Sequence, residues 1–420
     1  MSSALIRKSE RQFIELQRVF DDSIAEILVS IEQKLANTNK YSTKISVIME
    51  ELQLQPIKFV YLSNVLQVWI NLAEEIAFGF KQSVEQLVSE HLAIYNEWLY
   101  FIREFKLKIS EWDDVFLLKN AAVSSWLEMD RRSVPGSIQI YKKPIQVTQT
   151  IQETIRPFAE NAAIIWTSGT LTVPGNRHFI SDQLGIDRSV QIHELQAPQE
   201  YYSGAEVFVV TDMPDIQSVS QMNYIEAVAH AIIRTVKTTQ GRCFVLFTSQ
   251  DMLKKTVELI QESELLSDYL LFAQGVTSGS RMKLLKSFQK FSHSVLFGTN
   301  SFWEGVDVPG DGLSAVIVVR LPFSSPDDPT FMTRAQLLTN AGQNPFQKLA
   351  LPEAILRLKQ GFGRLIRSNQ DRGIFIILDR RIDTKSYGQQ FIESLPAISV
   401  QKLPLEHMVT QLEHWYNKKR

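Results

Sequence analysis

One cysteine, Cys243, stands in a chain of 420 residues. A lone thiol excludes intrachain disulfides, a thiolate zinc site and a four-cysteine iron–sulfur cluster within this chain. Flanked by Arg242 and apolar residues, it reads as a buried strand residue rather than a nucleophile. The 7 histidines show no HExxH spacing or other ligand pairing, so no metal is assigned to protein ligands. No apolar run is long enough to span a bilayer, and the amino terminus, MSSALIRKSERQFIELQ, carries charges where a signal peptide needs its apolar core. A cytoplasmic protein without a membrane partner is expected. A formal net charge of −2 gives no global basic footprint, so nucleic-acid binding would have to use local patches.

Glycine and proline are nearly missing from the first third. Gly79 is the only glycine before Gly136, and Pro56 the only proline before Pro135. Segments such as FIELQRVFDDSIAEILVSIEQKL place apolar residues at i, i+3, i+4 and i+7, which predicts helices from residue 5 to about 130. Trp69, Phe78, Phe80 and Trp98 lie on those stripes and are expected in a core. The pair Asp113 and Asp114 is expected to cap a helix or face solvent rather than do acid–base chemistry. The sequence RRSVPG at 131–136 marks a turn and a boundary. A chain of this length, with 44% hydrophobic and 21% charged residues, should hold two or three globular domains.

Beyond the boundary the texture changes. Residues 138–141 and 145–147 read as short strands, and AAIIW at 162–166 as a buried parallel strand ending in Thr167, Ser168, Gly169 and Thr170. Strand-like runs follow at 207–210, 243–247, 270–272, 294–297, 315–319 and 374–378. Helical periods lie between several of them, at 218–236, 252–262 and 281–291. Such alternation predicts a parallel sheet with helices on both faces, an α/β fold. Strand carboxy ends share one edge of a parallel sheet. Thr248 and Ser249 should therefore meet Thr299 and Ser301 on a common surface, whose hydroxyls and amides suit a phosphate backbone.

The stretch QGFGRLIR at 360–367 follows a helical period beginning at Pro352, a residue suited to a first turn. Continued through Gly361 and Gly363, that helix would set Gln360, Arg364 and Arg367 on one face. Two glycines inside a helix cost about 1 kcal/mol each against alanine, so a close approach is expected there. A phosphate reader and a solvated basic face fit these residues about equally well. Glu304 and Asp307, with Gly305 between them, add carboxylates that would need an arginine, a sugar hydroxyl or a metal-bound water beside phosphates.

Taken together these pieces resemble the second motor domain of superfamily 2 helicases, specifically the XPD/DinG group. The resemblance rests on TSGTL at 167–171 (usually with alanine at the position of Gly169), FTSQDML at 247–253, GTNSFWEGVDVPG at 298–310 and QGFGRLIRS at 360–368. LPFSSPDDP at 321–329, ILDRR at 377–381 and YGQQFIESLP at 387–396 support it. It covers about residues 135 to 400 in order and implies a RecA-like fold: a helical arch-like module at 1–134, the end of a first motor domain at 135–180, and a second motor domain at 181–420. Arg364 and Arg367 would be arginine fingers for ATP, worth orders of magnitude in rate. Gln360 would position phosphates or the attacking water, with Gly363 beside it. Asp307 would meet the ribose or an arginine, and Glu304 with Gly305 would couple the cleft to the nucleic-acid track. Thr248, Ser249, Thr299 and Ser301 would contact the strand, while Thr167, Ser168 and Thr170 would link hydrolysis to strand movement.

The departures are as telling. The sequence has no GxxxxGK(S/T) loop and no DEAH-like box, so the ATP and Mg2+ that the resemblance implies would find their main binding loop elsewhere. Three readings follow. The chain is part of an ATP-dependent helicase, truncated or split, acting on single-stranded DNA or RNA with a separate chain that carries the first motor domain. Alternatively it is a non-catalytic single-strand-binding module, or a scaffold with relic motifs. Intact Gln360, Arg364 and Arg367 favour the first.

Overall fold

A computed structural model describes residues 3–36, 44–48, 56–81, 89–117, 123–130, 139–145, 147, 148–159, 161–187, 190–195, 197–303, 313–366 and 368–419. The expected boundary at 131–136 lies outside them. Contacts divide the chain into two compact units: residues 1–147 with 326–337, and residues 148–325 with 338–420.

The first unit contains three long helices, α1 (Ser3–Ala36), α2 (Pro56–Lys81) and α3 (Ser89–Phe116). Ile27, Phe59 and Leu62 are buried, and Phe59 stacks on Phe116 with ring centroids 4.6 Å apart. The helical reading omitted one feature. Strands β1 (Lys44–Ile48), β2 (Val123–Asp130) and β3 (Gln139–Pro144) form an antiparallel sheet in the order β1-β2-β3. Residues 139–141 of the expected run 138–141 thus belong to a strand, Ile138 lying outside the described residues, whereas Ile145 and Val147 do not. Trp69 and Trp98 pack as expected against a small core around Ala73, Ala77 and Ile102. Phe78 is instead 64% exposed and Phe80 is also exposed, because Phe78 points to another side of the helix from its buried neighbour Ala77 and Phe80 lies beyond the last residue of that core. Asp113 and Asp114 neither cap nor face solvent freely. Asp113 accepts from the Ser63 hydroxyl at 2.6 Å, and Asp114 pairs with Lys142 at 2.5 Å. The segment 326–337 rejoins this unit across a long sequence gap: the buried Ser124 hydroxyl lies 2.8 Å from that of Thr333.

The second unit is built on a seven-stranded sheet. Its strands are β4 (Ala205–Val210), β5 (Cys243–Leu246), β6 (Leu270–Ala273), β7 (Ser294–Gly298), β8 (Ala315–Val318), β9 (Gly373–Ile377) and β10 (Val400–Leu403). They run in the order β10-β4-β9-β8-β5-β7-β6, and every pairing is parallel. The helices are α4 (Thr148–Ala159), α5 (Phe179–Leu184), α6 (Gln221–Thr239), α7 (Gln250–Glu262), α8 (Arg281–Lys290), α9 (Asn300–Trp303), α11 (Leu351–Phe362), α12 (Arg381–Thr384), α13 (Gly388–Ser394) and α14 (Leu405–Lys419); α10 (Pro329–Asn340) leaves the first unit at its carboxy end.

Strand side chains alternate between two cores. Cys243 and Val245 join α6, α7 and α14 on one face; Phe244 and Leu246 join α8, α9 and α11 on the other. Three of these helices start alike, with the hydroxyls of Ser220, Ser249 and Ser280 accepting backbone N–H groups of α6, α7 and α8. One expected strand is missing. Residues 162–166 are in no strand, and Ile165 is 83% exposed. A continuous apolar run suits a strand covered on both faces, and among the described residues no neighbouring strand pairs with it. Thr167, Ser168 and Thr170 accordingly sit at no strand end.

Candidate nucleotide and single-strand site

The carboxy ends of β5, β6 and β7 meet on one edge of the sheet. Gln250 opens α7 directly after Ser249, and its amide nitrogen donates to the carbonyl of Gln274, at the end of β6. The Gln274 side-chain oxygen accepts both from the Thr299 amide at 2.9 Å and from the Thr299 hydroxyl at 2.9 Å. Ser249 and Thr299 therefore share the surface anticipated for them, with Thr248 half-buried beside Ser249. Their hydroxyls have structural duties as well. The Ser249 oxygen caps α7 by accepting from Met252 N–H at 3.3 Å, which leaves its proton to donate outward. Neither glutamine stood out in the sequence, because an isolated glutamine after a strand has no spacing signal of its own.

Beneath this edge lies Trp303, 1% exposed, in α9. Its indole N–H donates to the carbonyl of Phe247 at 3.2 Å, and its own carbonyl accepts from Nη2 of Arg364 at 3.1 Å. A Cβ added at Gly361 would meet the Trp303 ring at 3.0 Å. The close approach that the glycine spacing predicted is thus an indole packed on helix α11, not a ligand. Gly363 has another role: it ends α11 at φ −62° and ψ −6°, with its N–H on the Lys359 carbonyl. The helix does not continue through Gly363, which corrects the expectation of one helical face for Gln360 and Arg364. Leu365 and Ile366 turn into the core instead, with Leu365 filling the space beside Gly373.

Gln360 remains on the helix. Its side-chain oxygen is buried and has no hydrogen-bond partner among the described residues. A buried acceptor without a donor costs about 1–3 kcal/mol, a cost that a functional partner removes. One residue earlier, the ammonium of Lys359 donates to the carbonyl of Thr172 at 3.2 Å. Burial holds Lys359 below the usual lysine range, opposed by the charge of Glu194. This contact ties the segment after Thr167–Thr170 to the helix of Gln360; among the described residues no hydrogen bond brings Thr167, Ser168 or Thr170 to the edge, and Thr170 N–H closes a local turn on Ser168.

Past β9, the buried Asp379 accepts from Leu321 N–H at 2.8 Å and pairs with Arg381 at 2.6 Å, so two motif segments are fastened by one carboxylate. Glu304, Gly305, Asp307 and Arg367 lie outside the described residues, and Ser301 is described only as part of α9. Among the described residues no helix is long and apolar enough to cross a membrane, and no three His, Cys, Asp or Glu side chains converge as a metal site.

Comparison with known proteins follows the same outline. Residues 232–398 match the helicase C-terminal domain family. The 3′-5′ exonuclease DinG of Bacillus subtilis is 40% identical over 279 residues, which cover 66% of this chain and 30% of that protein. The ATP-dependent DNA helicase YoaA of Haemophilus influenzae is 41% identical over 238 residues, 57% of this chain and 36% of that protein. The chain thus spans about a third of the length of these curated relatives. A solved XPD helicase structure superposes with a TM-score of 0.50 at 18% identity, covering 76% of this chain and 56% of the other, a likeness of fold alone.

Proposed function

From a chain whose residues 232–398 form a superfamily 2 helicase C-terminal domain of the XPD/DinG type, we propose a helicase subunit that grips single-stranded DNA at the strand-end edge and presents Gln360 and Arg364 to ATP. The observation that carries it is Trp303. One buried residue touches the segment leading to Thr248 through its indole N–H, forms the end of the helix after Thr299, and accepts from Arg364 at its backbone carbonyl. A shift of the strand at Thr299 and Ser249 would then be felt by the arginine, which is what coupling of hydrolysis to movement requires.

Residues 1–134 would act as the arch-like module that helps enclose the strand, and 135–180 as the end of a first motor domain. The exposed apolar run 162–166, in no strand here, would be covered by such a domain. ATP with Mg2+ supplies phosphoanhydride cleavage when bound. The residues present fit the γ-phosphate side of such a site in different ways: the buried Gln360 oxygen is an acceptor suited to the attacking water rather than to a phosphate oxygen, and Arg364 supplies a permanent charge for the phosphate. Holding the metal and the remaining phosphates falls to a first motor domain carried elsewhere, a separate chain or a missing segment, in a cytoplasmic assembly. The non-catalytic binding module remains a second reading, favoured by the commitment of Arg364 Nη2 to a carbonyl.

Two measurements test the proposal. Purified chain with Mg-ATP should show no turnover above background, with or without oligothymidylate; robust turnover contradicts the split site. Addition of a protein bearing the phosphate-binding loop should restore turnover, and Arg364→Ala should remove it. Restoration that survives Arg364→Ala favours the non-catalytic module.

A further inference from the structure

Helix α8, reading RMKLLKSFQK, holds four positive charges and no acidic residue. Leu284, Leu285 and Phe288 face the core, while Lys283, Lys286 and Lys290 line the exposed side at i, i+3 and i+7. This arrangement breaks two helix rules. Cations in a first turn oppose the helix dipole, and like charges three and four residues apart repel. Some lysines elsewhere are offset by carboxylates, among them Lys254 by Glu258, Lys255 by Asp251 and Lys402 by Asp383. Among the described residues none of the three α8 lysines is in an ion pair; Lys290 only rests over the Phe291 ring. They share one open face of the helix with Ser280, Met282 and Ser287, whose two hydroxyls add donors. A local rule broken without a compensating partner points to a ligand, here one of negative charge.

We propose that this lysine ridge is a second phosphate-backbone contact, holding single-stranded nucleic acid as it passes off the strand-end edge. The inference rests on that edge being the strand's track. Continuity supports it: Arg281, at the start of α8, lies over the Phe302 ring at 5.4 Å, and Phe302 N–H bonds back to the Thr299 carbonyl. The ridge begins where the hydroxyl array ends. From Lys283 to Lys290 it rises about 10 Å along one helix, a single row suited to one strand.

The test uses the full chain, a fluorescent oligothymidylate and a salt series. The triple variant Lys283→Gln, Lys286→Gln, Lys290→Gln should weaken binding about tenfold or more at low salt and flatten the salt slope by about 2, from ~0.7 per lost phosphate contact. A control triple at Arg234, Lys237 and Lys402, on the α6 face and the opposite edge strand β10, should leave both unchanged. Equal losses in the two triples, or none in the ridge triple while the parent binds, overturn the ridge and leave the edge standing. A parent chain that binds no oligothymidylate overturns both. Thermal melting of each variant shows that the fold is kept; a ridge triple that melts with the parent and binds weakly supports the ridge.

Discussion

Trp303 and Gly361 form a pair in which each explains the other. A methyl group at Gly361 would sit 3.0 Å from a buried ring held by its indole N–H on the Phe247 carbonyl, on a residue whose backbone carbonyl is engaged by Arg364. Alanine would favour the helix by about 1 kcal/mol, yet overpacking of this kind costs about 1–3 kcal/mol. Gly361→Ala should therefore lower stability in urea unfolding, whereas a gain would mean the indole can yield. Trp303→Phe should cost about 1–3 kcal/mol by leaving the Phe247 carbonyl without its donor. Cys243 offers a pH prediction. Burial pushes its thiol up to about 12, opposed by the Thr239 hydroxyl, so the reactive thiolate is nearly absent at neutral pH. Folded chain should resist thiol alkylation near pH 8, and denaturant should expose one rapidly labelled thiol.

At the scale of elements, the sheet was legible because its strands are short apolar runs bounded by polar clusters, and six of them lie where the runs at 207–378 predict. Edge strand β10, VQKL, has no such run and was not anticipated. The arginine helix was half legible. Pro352 and the apolar period fixed its body, but its end depends on Leu365 and Ile366 turning into the core, which no helical period reveals. The run 162–166 misled for a physical reason: its composition suits a doubly covered strand, and composition carries no information about which strand lies beside it. In the small sheet, β3 is foreshadowed by the run 138–141, but β1 and β2 are not, because they alternate weakly between helical segments. Asp379 gives this scale its prediction. Asp379→Asn would leave Arg381 and Leu321 N–H without their carboxylate, a loss of about 3 kcal/mol that equilibrium unfolding would register.

At the scale of the molecule, the proposed function divides labour within the second unit: a hydroxyl-rich sheet edge would take the strand, with the buried Trp303 behind it and Gln360 and Arg364 beyond. The net charge of −2 hides this, since the basic residues that matter are local. Binding should fall steeply with salt and depend little on base sequence. Ser249 allows the edge itself to be tested without disturbing the fold, because aspartate caps a helix as well as serine does. Oligothymidylate affinity should be measured for the parent and Ser249→Asp at one low salt concentration, alongside their melting temperatures. The account predicts equal melting and about tenfold weaker binding, a penalty of about 1.4 kcal/mol from a carboxylate set against phosphates. Equal melting with unchanged affinity would contradict it.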